Sequence, residues 1–389
     1  MEFRQASRLD PFQTGIFAAL DLKKAELIKE GRTVYNLSVG TPDMHPPKHV
    51  SDALLSAAQN PENWKYSLVD LPELLAAASA YYKRRFGVEI SPDCITSVHG
   101  TQEGMVHLGM AIANEGDTVL LPNPGYPVFE AGTLIAGAKP YYYPLLRENG
   151  FLPVFSEIPE DVLRRAKYIV VSYPSNPVGA AAPESMYREL IEIAHKYNII
   201  VVNDNAYSDM VFDGKESFSF LSFEGAEEVG VEFLSLSKSF SVTGARISFL
   251  SGNKKIVDTL KLLRTQLDFG MFYPVQYAAI AALTGPLDSV KETGEEYRRR
   301  RDALCGGLRR IGWPCPDAQG TMFVWAPIPE KYSSCEKFCA ELMDKTGVIC
   351  TPGTAFGPLG EGYVRFALVR PPEQLEEIVG IIEKSGILN

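Results

Sequence analysis

A three-layer α/β/α domain on a mostly parallel sheet, with a smaller α+β domain beside it, is the architecture this sequence predicts. Three observations carry it. Between residues 95 and 251, short β-rich runs alternate with helical stretches. Those runs lack the polar alternation of a half-exposed sheet, so helices must cover both of its faces. After Gly285-Pro286 the texture changes to long helices and isolated extended segments. At 389 residues the chain is long enough for two or three domains and a large core.

In chain order, residues 11–30 read as a helix closed by Gly31, and 37–47 (LSVGTPDMHPP) as an irregular segment rich in Gly and Pro. Residues 48–60 and 71–86 have helical spacing. Residues 95–98 form a strand, followed by Gly100 and a helix through Ala113. Then 118–121 is extended, 126–137 helical and 140–144 extended. The run 167–173 (KYIVVSY) is a strongly apolar strand. A helix over 183–197 and strands over 198–203, 232–236 and 247–251 complete the sheet. Beyond residue 285 come a long charged helix (288–310), an extended segment (321–326) and a helix (334–345). Two more strands (348–351, 363–368) and a last helix (372–384) follow. This divides the chain into a large domain over 46–287 and a small one assembled from 1–45 and 288–389.

Composition narrows the function classes. With 46% hydrophobic and 22% charged residues this is an ordinary globular chain. Its 38 basic and 48 acidic residues give a net charge of −10, which disfavours nucleic acid or an anionic membrane as the main partner. The six cysteines form no C-x-x-C pair and the five histidines are scattered, so no metal site is expected. Free buried thiols in a reducing compartment are the expectation. The N-terminus (MEFRQASRLDPFQTGIF) lacks the apolar core of a signal peptide. No stretch reaches the roughly 18 apolar residues of a membrane span. A cytoplasmic location follows as an expectation. The quartet Arg298-Arg299-Arg300-Arg301 reads as a solvated helix face with Glu295 and Glu296 in the preceding turn, in preference to an anion patch.

The most informative segment is Ser235-Leu236-Ser237-Lys238-Ser239-Phe240-Ser241-Val242-Thr243-Gly244-Ala245-Arg246. It follows an apolar strand. In isolation, a lysine there is a lysine snorkelling out of a loop. Desolvation and a neighbouring cation would instead lower its pKa and make it nucleophilic. Arg246 can be that cation while binding an anion, and Ser235 and Ser237 can donate to the same anion. A Schiff-base lysine beside a phosphate cup implies pyridoxal phosphate. That cofactor needs a negative partner for its ring nitrogen. Asp204 ends a strand where open α/β sheets place ligands, although a turn or helix-cap aspartate reads equally well. Asn176 and Tyr207 can donate to the phenolic oxygen, while Asn176-Pro177 is also a turn signal. His99-Gly100-Thr101-Gln102-Glu103-Gly104 opens a helix whose N-terminus favours an anion. Tyr126, after Pro124-Gly125, can stack on a ring or simply pack.

Each of these features follows a predicted strand, and in that order the chain resembles the class I/II pyridoxal-phosphate aminotransferases of fold type I, from LSVGTPDMHPP to the final helix. It is most similar to the LL-diaminopimelate aminotransferase-like branch, through GYPVFEAGTLIAGAKPYYYPL, ENGFLP, DFGMF, QYAAIAAL, VEFLSLSK and TPGTAFGPLGEGYVRFAL. The resemblance implies a transaminase that exchanges an amino group between an L-amino acid and a 2-oxo acid by a ping-pong route through pyridoxamine phosphate. It assigns Lys238 as Schiff-base lysine and proton carrier, with Asp204 on the ring nitrogen. Tyr207 and Asn176 bond the phenolic oxygen, and Tyr126 stacks on the ring. Gly100, Thr101, Gln102, Ser235, Ser237 and Arg246 cradle the phosphate. Arg365 clamps the substrate carboxylate, with Asn176 and the Gly40 backbone beside it. A lone arginine in an apolar strand (YVRFAL) makes its own case for an anionic ligand, with a structural ion pair as the alternative. Tyr66 matches a tyrosine that reaches the neighbouring subunit's phosphate, which implies a homodimer with shared active sites.

Departures from the family pattern are Asn205 after the aspartate, Ser248 where the family often has glycine, and a shortened turn after Tyr66. Within that turn, Asp70 is the candidate for recognising the substrate's distal amino-acid end. A C–S lyase or decarboxylase on the same cofactor is the alternative chemistry. An aminotransferase-like sensor of a transcription regulator needs an upstream DNA-binding module, and the motifs begin by about residue 37, leaving no room for one. A nicotinamide dehydrogenase needs a glycine fingerprint that is missing.

Overall fold

The structure, a computed structural model, describes residues 3–12 and 16–389. The start of the helix expected over 11–30 includes 13–15, outside the described residues. From there α1 (Ile16–Lys29) leads to β1 (Tyr35–Asn36), α2 (Lys48–Ala58) and α3 (Pro72–Phe86). Proline at the first turn opens α3, and Gly87 at φ 69° closes it, a conformation that a Cβ disfavours. The central run is β2 (Ile95–Val98), α4 (Thr101–Ile112), β3 (Thr118–Asn123), α5 (Val128–Ile135), β4 (Lys139–Pro144), α6 (Glu160–Arg165) and β5 (Ala166–Val171). It continues through α7 (Glu184–Tyr197), β6 (Ile200–Asn205), α8 (Ala226–Val229), β7 (Gly230–Ser235), α9 (Leu236–Ser239) and β8 (Ser248–Gly252). Then come α10 (Lys254–Arg264), α11 (Tyr273–Thr284), α12 (Asp288–Arg310), β9 (Phe323–Pro327), α13 (Cys335–Thr346), β10 (Val348–Ile349), β11 (Thr351–Pro352), β12 (Tyr363–Ala367) and α14 (Pro372–Lys384).

Seven strands form one sheet in the order β2-β8-β7-β6-β5-β3-β4. Only β8 runs antiparallel to its neighbours; the other pairings are parallel. The strands alternate between two apolar layers. Val119, Val170, Val202 and Phe233 meet Met105 and Leu108 of α4 on one face. Leu120, Ile169, Val201 and Leu234 meet Tyr82 of α3 and Leu190 of α7 on the other. Burial on both faces explains why these strands read as unbroken apolar runs.

The C-terminal part holds two small sheets, β11-β12-β9 and β1-β10. The N-terminal segment is sewn into both, because Leu37 N–H donates to Ile349 O (2.8 Å) and Ala367 N–H donates to Leu37 O (2.7 Å). Leu37 therefore packs in the same core as Leu304, Phe338, Phe366 and Ile378.

Three expectations need correction. The strand expected over 348–351 is two strands, because the chain turns at Cys350 from the sheet with β1 to the sheet with β12. The helices α10 and α11 had no place in the expected order. α11 (YPVQYAAIAALT) is apolar almost all round because it packs against both α2 and α3, so it shows no amphipathic stripe. The arginine quartet is only half solvated. Arg298 pairs with Glu295 and Asp302, and Arg299 with Glu296, on the surface. Arg300 and Arg301 are 4% and 2% exposed. Arg300 binds Asp43, Glu296 and the Leu368 carbonyl, and Arg301 binds Asp213, Asp302 and the Ala318 carbonyl. They fasten α12 to distant segments. All six cysteines are buried and unpaired. Among the described residues no helix is long and apolar enough to cross a membrane.

Candidate active site

Parallel strands deliver their C-terminal ends to one edge of the sheet, where ligands of open α/β folds bind. β6 brings Asp204 and β7 brings Ser235 to that edge, and the first turn of α4, after β2, brings Thr101 and Gln102. From the C-terminal sheet, β9 supplies Phe323 and β12 supplies Arg365. A cavity of about 450 Å³ lies between them. Of the thirteen residues expected around this chain's own cofactor and substrate carboxylate, twelve line it: Gly40, Thr101, Gln102, Tyr126, Asn176, Asp204, Tyr207, Ser235, Ser237, Lys238, Arg246 and Arg365. Gly100, the thirteenth, lies beneath Arg246. It has φ 83°, and a Cβ there would run into the Arg246 guanidinium. The positive φ favours glycine, and a side chain there would also displace the guanidinium.

Lys238 sits on α9, one turn past β7, where Ser235 caps the helix by accepting from Ser237 N–H (3.2 Å). Lys238 Nζ donates to Gly40 O at 2.6 Å, which ties the N-terminal segment to the lysine. A Cβ on Gly40 would collide with the Phe323 ring, so this approach also needs glycine. Burial, followed by the like charges of Arg365 and Arg246, lowers the Lys238 pKa to about 8. The sequence argument expected this shift from desolvation and from Arg246; Arg365 joins them.

Asp204 is 7% exposed, and its Oδ1 has no hydrogen-bond partner. Burial, then the charge of Glu232, raises it to about 7. Glu232 lies wholly inside the sheet, where it accepts from Asn203 Nδ2 (2.8 Å), Ser219 Oγ (2.8 Å) and Phe220 N–H (2.7 Å). A buried carboxylate with a bare oxygen is costly unless a donor meets it. Asp204 is thus suited to a cationic or N–H-bearing ring placed in the cavity.

Arg365 is 2% exposed, with its guanidinium 4.0 Å from the Phe323 ring centre and 4.5 Å from that of Phe356. Nη1 donates to Asn176 Oδ1 (2.8 Å) and Nη2 to Ser38 O (2.8 Å). Burial lowers its pKa to about 10. Because Asn176 turns its carbonyl oxygen to Arg365, its NH2 is left as a donor. Tyr126 Oη donates to Gln102 Oε1 (3.3 Å), and burial raises the phenols of both Tyr126 and Tyr207. Gly100, the opening of α4, Arg246 and the Ser235 and Ser237 hydroxyls gather donors and positive charge along one rim, a chemistry suited to an anion. Asp204 and Lys238 face the same space, so the residues present fit pyridoxal phosphate.

Tyr66, expected at the partner's phosphate, and Asp70, expected at the substrate's distal end, lie outside this chain's cavity. Tyr66 is 76% exposed and packs on Phe269 (ring centres 5.0 Å apart), outside this chain's cavity. Asp70 is not at the cavity: its carboxylate accepts from Ser97 N–H (2.8 Å), Ser97 Oγ and Thr96 Oγ1 (3.3 Å), securing β2. Within this chain those bonds tie the Asp70 carboxylate to β2 and not to the cavity. The sequence reading also missed Asp21, Val39, Thr41 and Phe323 as lining residues. Asp21 looks like any solvent-facing helix aspartate, and Phe323 like any core residue. Only the long-range packing of α1 and β9 brings them to the cavity.

Residues 32–382 match the family described as aminotransferase class I and II. An LL-diaminopimelate aminotransferase of Halothermothrix orenii is 41% identical over 384 residues, covering 98% of each chain. One from Aquifex aeolicus is 41% identical, covering 96% of this chain and 97% of its own. Substrate-bound BacF from Bacillus subtilis superposes with a TM-score of 0.95 at 35% identity, covering 99% and 98% of the two chains. A probable N-succinyldiaminopimelate aminotransferase from Thermus thermophilus does so at 0.90 and 32%, covering 95% and 100%.

Proposed function

The chain belongs to the class I and II aminotransferases, enzymes that use pyridoxal phosphate, and from that premise we propose how its residues divide the work and what substrate it takes. The observation that carries the proposal is the cavity itself, which a lysine of lowered pKa shares with a buried arginine and with a buried aspartate whose Oδ1 has no partner. When bound, the cofactor supplies a carbonyl for the amino group and a ring that takes up the electron pair left when a Cα–H bond breaks. Arg365 holds the substrate α-carboxylate, kept in plane by Phe323 and Phe356 and in register by Asn176 and Ser38. Lys238 carries the Cα proton. At a pKa of about 8 its Nζ can accept a proton and return it near neutral pH. Asp204 favours a protonated ring nitrogen. Tyr207 and the Asn176 NH2 donate to the phenolic oxygen, and Tyr126 covers the ring. Gly100, Thr101, Gln102, Ser235, Ser237 and Arg246 hold the phosphate.

The substrate in this proposal is LL-diaminopimelate or a related amino acid with a second ammonium group, and 2-oxoglutarate accepts the nitrogen. The names of the curated relatives support it. So does Asp21, the one lining carboxylate other than Asp204 among the described residues. The functional unit is a homodimer with shared sites. Trp64, Tyr66, Leu68, Val69 and Phe269 are 67%, 76%, 69%, 73% and 59% exposed on adjoining segments, an apolar area that a lone soluble chain rarely shows.

The test is a substrate panel against 2-oxoglutarate: LL-diaminopimelate, glutamate, aspartate, alanine and an aromatic amino acid. The proposal expects kcat/KM to be highest for LL-diaminopimelate, and expects Asp21→Asn to raise KM for that substrate and not for alanine. Higher kcat/KM for glutamate or aspartate would refute the substrate assignment.

A further inference from the structure

We propose that Ser248 is a positioning residue for phosphate binding, joining the hydroxyls of Thr101 and Ser235 into one polarised donor chain that ends in the cavity. The inference rests on the reading of the rim as a phosphate site. Ser248 is no part of the cavity lining, and it stands where the resembling family often has glycine.

Sheet register places it there. Ser248 opens β8, the antiparallel strand between β2 and β7. Across one ladder it faces Ser235, the last residue of β7; across the other it faces Val98, the last residue of β2. It is thus flanked by the two strand ends that enter the rim. Its side chain is fully buried. The Oγ lies 3.2 Å from Thr101 Oγ1, from which it accepts, and 3.1 Å from Ser235 Oγ, to which it donates.

The consequence follows from counting protons. A serine hydroxyl has one proton to give and two lone pairs. Ser235 Oγ already accepts from Ser248 Oγ and from Ser237 N–H (3.2 Å). With both lone pairs occupied, its only free role is as donor. Ser235 lines the cavity, so the proton that remains is directed to an anion there. The bond from Ser248 polarises the Ser235 hydroxyl and strengthens it as a donor. With glycine or alanine at 248, that hydroxyl keeps a lone pair open, is free to rotate and need not present its proton. Ser248 acts only through its neighbours, so its effect should follow the phosphate group and not the ring.

The experiment uses apo protein and the variants Ser248→Ala and Ser248→Gly. Dissociation constants are measured by absorbance titration for pyridoxal phosphate and for pyridoxal, which lacks the phosphate. The expected result is a loss of about threefold to tenfold for pyridoxal phosphate, the range of one hydrogen bond, with pyridoxal changed less than about twofold. In a Ser235→Ala background, Ser248→Ala should add no further loss, since the chain already lacks its end. Equal losses for both ligands, no loss for pyridoxal phosphate, or a full additional loss in the Ser235→Ala background would each overturn the proposal. Wild-type protein that binds both ligands equally well would remove the phosphate-site reading itself, an outcome seen before any variant is made.

Discussion

Lys238 in the apo protein should titrate near pH 8, well below the ordinary lysine value of 10.5. Its pKa falls from 10.5 to about 8, with burial as the largest cause, then the charge of Arg365, then that of Arg246. At pH 7 a group of pKa about 8 is roughly 9% neutral and one of about 10.5 roughly 0.03%, a difference of about 300-fold in free amine. Competitive labelling with trace acetic anhydride, read at Lys238 by mass spectrometry across pH 6–11, measures this directly. Arg365→Met should raise the midpoint, because a neighbouring cation disfavours the ammonium form. It should stay below 10.5, because burial is the larger cause. Arg246→Met should raise it by less. Stability carries the same signature. The unfolded lysine keeps its proton up to about 10.5 and the folded one only to about 8, so between those values the unfolded chain holds more protons. This residue's contribution to stability therefore rises with pH across that window. A midpoint within half a unit of 10.5, or one that falls in Arg365→Met, would refute the electrostatic argument.

Arg365→Lys should lower kcat/KM for amino acids by roughly 30- to 1,000-fold, about 2–4 kcal/mol, because a point ammonium cannot reproduce the fork held between two rings. A primary amine without a carboxylate should lose nothing, and an equal loss would argue for a purely structural arginine. Tyr66→Ala and Lys238→Ala should each be inactive or nearly so, yet mixed dimers of the two should regain activity: if Tyr66 serves the partner's site, one site of each hybrid carries neither lesion. Mixtures that stay inactive after subunit exchange would place Tyr66 elsewhere. Arg301→Met should destabilise the fold by about 2–3 kcal/mol, less than for a fully buried ion pair because Asp213 keeps access to water. Arg299→Ala, which breaks only a surface pair, should leave the thermal midpoint within a degree or two.

The contrast between Arg299 and Arg301 also shows where sequence reading stops. Strands β3, β5 and β6 are legible because a strand buried on both faces must be apolar throughout, and that is a local property. The fate of four consecutive arginines is not local. Arg300 is decided by Asp43, 257 residues away in sequence, and Arg301 by Asp213, 88 away. α11 escaped notice for a related reason. Helices on two sides erase the amphipathic stripe by which a helix is recognised. In the site, Lys238, Asp204 and Thr101 were found because each follows a strand, and strand ends converge in an α/β fold. Asp21 reaches the cavity only through how α1 packs. The bonds from Ser97 and Thr96 to Asp70 are likewise invisible in sequence, because a carboxylate in a loop gives no sign of the strand it fastens.

A net charge of −10 looks ill suited to ligands that are themselves anions. The cavity resolves this locally, since Lys238, Arg246 and Arg365 face Asp21 and Asp204 across about 450 Å³. The arrangement also couples binding to basicity. The two arginines that lower the Lys238 pKa are the two proposed to receive the anionic groups. An anion on either one offsets the charge that lowers the lysine, so the base becomes stronger as the ligand's anionic groups arrive. In the empty cavity burial and the same arginines keep more of the lysine neutral than an ordinary lysine would be, and the neutral amine is the form that attacks a carbonyl. A lysine whose low pKa came from burial alone would lack that response. Placing Arg246 and Arg365 around Lys238 therefore serves two demands at different moments: a nucleophile before binding and a stronger base after it.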